Sequence, residues 1–96
     1  MIIEKIDHIG IRGANIKRAI TFYKKLGFKV LKRSQLDKVV IMKSSTDVEI
    51  NLIYNANNPE GDHNILMDIE TKYPGFTHTA LRVSSISETI KSLKAP

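Results

Sequence analysis

The sequence predicts an α+β fold, with one βαβββ module followed by a partial second module of β and α. Two capped amphipathic stretches, three short alternating segments between them and an internal repeat point to it.

Residues 2–12 read as a strand, with Ile3, Ile9 and Ile11 on one parity and His8, Gly10 and Arg12 on the other. Gly13 ends it, and Asn15 can cap the next helix through its side-chain oxygen. Ile16, Ala19, Ile20, Tyr23 and Leu26 follow i, i+3, i+4 spacing, which predicts an amphipathic helix over residues 16–26. Gly27 suits the left-handed residue just past a helix end. Phe28–Arg33, Val39–Met42 and Val48–Tyr54 then read as strands, separated by turn chemistry at Gln35-Leu36-Asp37 and Ser44-Ser45-Thr46-Asp47. In the first, alternation puts Phe28, Val30 and Lys32 on one side. In the last, Val48, Ile50, Leu52 and Tyr54 alternate with Glu49, Asn51 and Ile53, so one face packs and the other carries a carboxylate and an amide two residues apart.

Residues 55–75 are a long polar connection containing Pro59, Gly61, Pro74 and Gly75, with a short element expected around Ile65–Met67. His63 lies in it and reads as solvent-exposed. Phe76–Val83 is expected as a further strand, with Thr77, Thr79, Leu81 and Val83 on one face and His78, Ala80 and Arg82 on the other. Ser85-Ile86-Ser87-Glu88 has the form of a capping box, and Ile86, Ile90 and Leu93 form a helical stripe that stops at Ala95-Pro96. The 96 residues are thus read as one domain: a complete module over 1–54, a connection over 55–75 and a truncated second module over 76–96.

Composition narrows the classes. The chain is 42% hydrophobic and 26% charged, which suits a globular domain rather than a disordered or collagen-like one. No apolar run approaches the ~20 residues that span a bilayer. The N-terminus carries Glu4, Lys5 and Asp7 where a signal peptide would be apolar, so a cytoplasmic protein is expected. The absence of cysteine excludes disulfides, thiolate nucleophiles and Cys-based metal sites. The net charge of +5 is uneven: residues 1–43 hold eleven basic and three acidic side chains, and residues 44–96 hold four and seven. A basic half can attract nucleic acid or an anionic substrate. No RNA-binding or helix-turn-helix signature accompanies it, so a solvated lysine-rich face is the simpler account and no nucleic-acid partner is expected.

The repeat is the most informative feature. A shift of 70 positions places His8 on His78, Gly10 on Ala80, Ile11 on Leu81 and Arg12 on Arg82. It also places Asn15 on Ser85, Ile16 on Ile86, Ile20 on Ile90 and Tyr23 on Leu93. Strand phase, cap position and helical stripe coincide.

A βαβββ unit in tandem, opened once by DHIGIRGANIKRAITFYKKLGF and again by GFTHTALRVSSISETIKSL, resembles the vicinal oxygen chelate superfamily. That group holds glyoxalase I, bleomycin-resistance proteins, fosfomycin-resistance enzymes and extradiol dioxygenases. The resemblance implies paired modules that form a cleft, and a divalent metal (Zn, Ni, Fe or Mn) held by inward-facing strand residues. The first strand of each module supplies a histidine there, which corresponds to His8 and His78. The last strand of each module supplies a glutamate. Here Asn51 stands at that ligand position, with Glu49 two residues earlier on the same face. The strand that would carry the fourth ligand has no counterpart in the sequence.

On this resemblance, His8, Asn51 and His78 are the expected metal ligands and Glu49 the catalytic proton carrier. Arg12 and Arg82 can bind an anionic substrate, or can instead pair with strand carboxylates. A metal held by imidazole and carboxylate would polarise a small molecule with two adjacent oxygens, as a lyase or isomerase requires. Asn51 leaves open a metal-free small-molecule binder or an inactive truncated member. A second copy as long as the first would carry the chain to roughly 140 residues. The unpaired strand edges left by its absence predict a homodimer, with exchanged elements as one form of it.

Overall fold

The computed structural model describes residues 1–57 and 63–96. Its elements are β1 (Ile9–Arg12), α1 (Ile16–Lys25), β2 (Lys29–Ser34), β3 (Val39–Lys43), β4 (Glu49–Ile53) and α2 (Ile86–Lys94). The four strands make one mixed sheet in the order β1-β4-β3-β2. β2, β3 and β4 form an antiparallel meander, and β1 joins it parallel to β4. A parallel neighbour needs a crossover, and α1 with β2 and β3 supplies it. This is the expected βαβββ order.

The helix ends are set by side chains named from the sequence. The Arg18 backbone N–H donates to Asn15 Oδ1 at 3.0 Å, and the Glu88 N–H donates to Ser85 Oγ at 3.1 Å. Glu88 itself pairs with Lys91 at 3.6 Å, one turn on. Gly27 follows α1 at φ 92°, a conformation that glycine adopts without Cβ strain.

The core lies between α1 and one face of the sheet. Phe28, Val40, Met42, Ile50 and Leu52 are buried, and Ile11, Ile16, Ala19, Ile20, Tyr23 and Leu26 pack against them. Tyr23 stacks edge-on to Phe28 at a centroid distance of 5.6 Å. All four central strand residues in this core come from alternating positions of β3 and β4, as the period-two pattern requires.

Three differences from the sequence reading have physical causes. The first strand is paired only over Ile9–Arg12, because its ladder to β4 opens at Ile9 and Ile50 and the chain before Glu49 is a turn. On β2, a bulge between Val30 and Lys32 breaks the alternation, so Lys32 does not share the side of Phe28 and Val30. Residues 76–83 do not form a strand. Their repeat counterpart, β1, is a strand because β4 lies beside it, whereas no ladder among the described residues includes 76–83. Thr79 and Leu81 instead line an apolar cavity against Ile9, Ile11 and α1, with the parity read from the sequence, while α2 packs on α1. Around Ile65–Met67 there is a turn, in which the Met67 N–H donates to Asn64 O at 3.0 Å. Pro59 and Gly61 lie outside the described residues.

Met42 is fully buried in the middle of the sheet. Met42→Ala should therefore lower the unfolding free energy by about 2–4 kcal/mol in urea titrations, and Ile2→Ala, at an exposed position, by less than ~0.5 kcal/mol.

Candidate functional site

The face of the sheet opposite α1 carries the polar chemistry. Alternation on β4 buries Ile50 and Leu52 and leaves Glu49, Asn51 and Ile53 on the open side. The ladders fix their neighbours. Glu49 pairs with Lys43, Asn51 lies between Ile41 and Gly10, and Ile53 lies between Val39 and Arg12. His8 immediately precedes β1 and reaches the Glu49 end of that face.

Around Glu49 the charges form a chain. His8 Nδ1 lies 3.8 Å from Glu49 Oε2 and 2.8 Å from Asp7 Oδ2. On the other side, Lys43 Nζ lies 3.9 Å from Glu49 Oε1 and 3.1 Å from Asp47 Oδ1. Asp47 also meets Lys5 at 3.7 Å. Asp47 sits at φ 73° in a turn closed by the Val48 N–H, which donates to Ser44 Oγ at 3.0 Å. Among the described residues, Asp7, His8 and Glu49 offer three ligand atoms within 4.8 Å of one another.

Two residues along β4, Asn51 Oδ1 is buried and has no hydrogen-bond partner among the described residues. An unpaired buried carbonyl oxygen costs on the order of 1–3 kcal/mol, so its position calls for an explanation. A hard cation or a hydrogen-bond donor on the ligand would satisfy it. One imidazole, a nearby carboxylate and this orphaned amide oxygen are chemically fitted to a divalent metal, although the set is one ligand poorer than two histidines with two carboxylates. Asp7 beside the imidazole can fix the ring's tautomer and orientation, as carboxylates commonly do for metal-bound histidine.

Of the residues anticipated from sequence, His8, Glu49 and Asn51 share this face. His78 is not in the cluster: it is exposed, and its Nδ1 lies 2.8 Å from Thr77 Oγ1. Arg12 is on the open face, where its Nε donates to Asn55 Oδ1 at 3.0 Å. Arg82 is exposed and makes no ion pair among the described residues. Two members of the site, Asp7 and Lys43, were not anticipated. Asp7 was visible as the neighbour of His8. Lys43 needs the β3–β4 register, which no local pattern encodes.

The charge chain shifts proton affinities. Asp7 is held below its usual 3.8, first by its hydrogen bond to His8, then by that ring's charge. Asp47 is likewise lowered and Lys43 raised, each chiefly through the hydrogen bond between them. A lowered carboxyl contributes stability above its unfolded value, and that contribution fades as pH falls through its folded value. For Asp7 the window therefore lies below 3.8. A carboxyl NMR titration should find the Asp7 midpoint below 3.8, rising towards that value in His8→Ala; an unmoved midpoint would show that the contact is absent in solution.

Compared with family models, residues 5–95 match that of the glyoxalase, bleomycin resistance protein and dioxygenase superfamily. Comparison with curated proteins and with solved structures returned no match. Among the described residues, no helix is long and apolar enough to cross a membrane. The family match spans nearly the whole chain, and the βαβββ sheet agrees with it, so the chain belongs to the glyoxalase/bleomycin resistance protein/dioxygenase superfamily.

Proposed function

We propose that this chain is a glyoxalase-like, metal-dependent lyase or isomerase that acts on a small molecule with two adjacent oxygens. The observation that carries the reading is that His8, Glu49 and Asn51, whose buried Oδ1 has no hydrogen-bond partner among the described residues, share one face of the family sheet. His8 and Asn51 are the ligands this chain offers, and His78 of a second copy is the natural candidate for a further one. The protein is accordingly proposed to be a cytoplasmic homodimer whose site is shared between copies, and the exposed Ile2, Ile3, Ile6 and Phe76 supply apolar surface for such an association.

A divalent ion bound there would draw electron density from the substrate oxygens and so favour an oxyanion on them. The protein side of the chemistry rests on Glu49. Its Oε2, on the His8 side, can accept a proton from the carbon beside the polarised oxygens and return it to the neighbouring carbon. Its Oε1 faces the Lys43 ammonium at 3.9 Å, which favours one orientation of the carboxylate. Asp7 holds the His8 ring from its Nδ1 side.

One feature favours a second reading. Asn51 is neutral where the family places a carboxylate, and Lys43 already offsets the charge of Glu49. A metal-free binder that uses the Asn51 oxygen as a hydrogen-bond acceptor is consistent with both.

Titration of the chelator-treated protein with Mn(II), Ni(II) and Zn(II) separates the two. The enzyme reading expects saturable binding, weakened at least tenfold by His8→Ala and tightened about tenfold by Asn51→Asp, since a carboxylate outbinds an amide. No saturable binding of any of the three would end the metalloenzyme reading in favour of the binder. Gly10→Ala adds a Cβ that meets Ile53 Cδ1 at an ordinary 3.6 Å, so the fold should tolerate it, with the unfolding free energy in urea changing by less than about 0.5 kcal/mol.

A further inference from the structure

We propose that the open face also carries an anion subsite, built by Lys29 and Lys32 of β2 with Lys43 of β3. It takes a carboxylate or phosphate group of the same molecule whose adjacent oxygens sit at His8 and Glu49. The second half of this statement rests on the proposed function, whereas the subsite itself does not.

The register carries the argument. Lys29 is the cross-strand partner of Lys43, and Lys43 is the partner of Glu49. Across the sheet the open face therefore reads imidazole, carboxylate, ammonium, ammonium. Like charges placed directly opposite are unfavourable unless something lies between or over them. Acidic side chains satisfy only part of this row: Lys43 meets Asp47 and Glu49, while among the described residues neither Lys29 nor Lys32 has an acidic partner.

The bulge supplies an independent observation. Positions 29 and 32 differ in parity, so a regular strand would point Lys29 and Lys32 to opposite faces. The register shift between Val30 and Lys32 brings Lys32 opposite Ile41, which is itself opposite Asn51, and so onto the same face as Lys29. The shift leaves Leu31 62% exposed. Bulges commonly re-aim a side chain at a site. Here one gathers two lysines beside a third at the edge of the polar face.

The spacing defines the ligand. β2 is two strands from β4, so the lysine backbones lie roughly 10 Å from that of Glu49. Flexible lysine side chains cover part of that distance. The molecule that fits has adjacent oxygens at one end and an oxyanion several bonds away, with the apolar Ile41 beneath the link.

Inorganic phosphate is the probe, titrated at low ionic strength into the full chain with metal removed and followed by backbone amide shifts. The expected result is a saturable response confined to β2 and β3, weakened by salt. Lys29→Gln/Lys32→Gln should weaken it at least tenfold. Lys17→Gln/Lys24→Gln on α1 makes the same change in net charge and should alter it less than twofold. His8→Ala should leave it intact. No saturable response, or an equal loss in both lysine pairs, overturns the subsite. Should the β2 double variant not fold, the amide map of the unmodified protein decides alone, and shifts scattered over α1 count against the proposal. Phosphate binding without metal binding would retain the subsite and end the enzyme reading; metal binding without phosphate binding would do the reverse.

Discussion

The parallel pairing of β1 with β4 is the constraint from which the polar face follows. It sets Ile9 against Ile50 and Gly10 against Asn51, across forty-one residues of chain. Antiparallel turns alone would have left the first strand elsewhere. With that ladder in place, the alternation of β4 turns Ile50 and Leu52 onto α1 and exposes Glu49 and Asn51 beside His8. One residue of slip would bury the carboxylate and expose the two core side chains, so the apolar core and the polar face hold the same register for opposite reasons.

The polar face is arranged at some cost to the fold. Among the described residues Asn51 keeps a buried oxygen without a partner, Asp47 occupies a left-handed conformation unusual for a residue with a side chain, and a bulge interrupts β2. Each lies on the open side of the sheet or at the turn that leads into it. The opposite side is conventional: five buried apolar residues, an aromatic pair and a capped amphipathic helix. Lys38, in the β2–β3 turn, is likewise left-handed at φ 57°, so backbone departures occur at both turns of the meander, while the orphaned oxygen and the bulge lie along the strands that bear the polar face.

The second repeat shows how far a sequence pattern depends on neighbours. Residues 76–83 carry the alternation of β1 nearly position for position, yet only their packing parity is realised, with Thr79 and Leu81 against the apolar cavity. Strand structure is a property of pairs, since the backbone N–H and C=O groups need a ladder to join. The helix that follows needs no such partner. α2 forms as read, with its Ser85 cap, because its hydrogen bonds are internal and its cap is local.

The sequence by itself determined whatever is local or periodic: both helices and their caps, Gly27, the three strands of the meander, the buried parity of β4 and the shared face of Glu49 and Asn51. It also pointed to the superfamily through the repeat. Only tertiary structure decided which strands pair and in what register, and hence that Lys43 and Asp7 flank the Glu49–His8 pair and that Lys32 joins Lys29 across the bulge. It also decided that His78 stays apart from His8 within one chain. Side-chain periodicity is written in the chain because it follows from backbone geometry. Strand pairing joins distant segments, and the same alternating pattern is compatible with several registers until the core selects one.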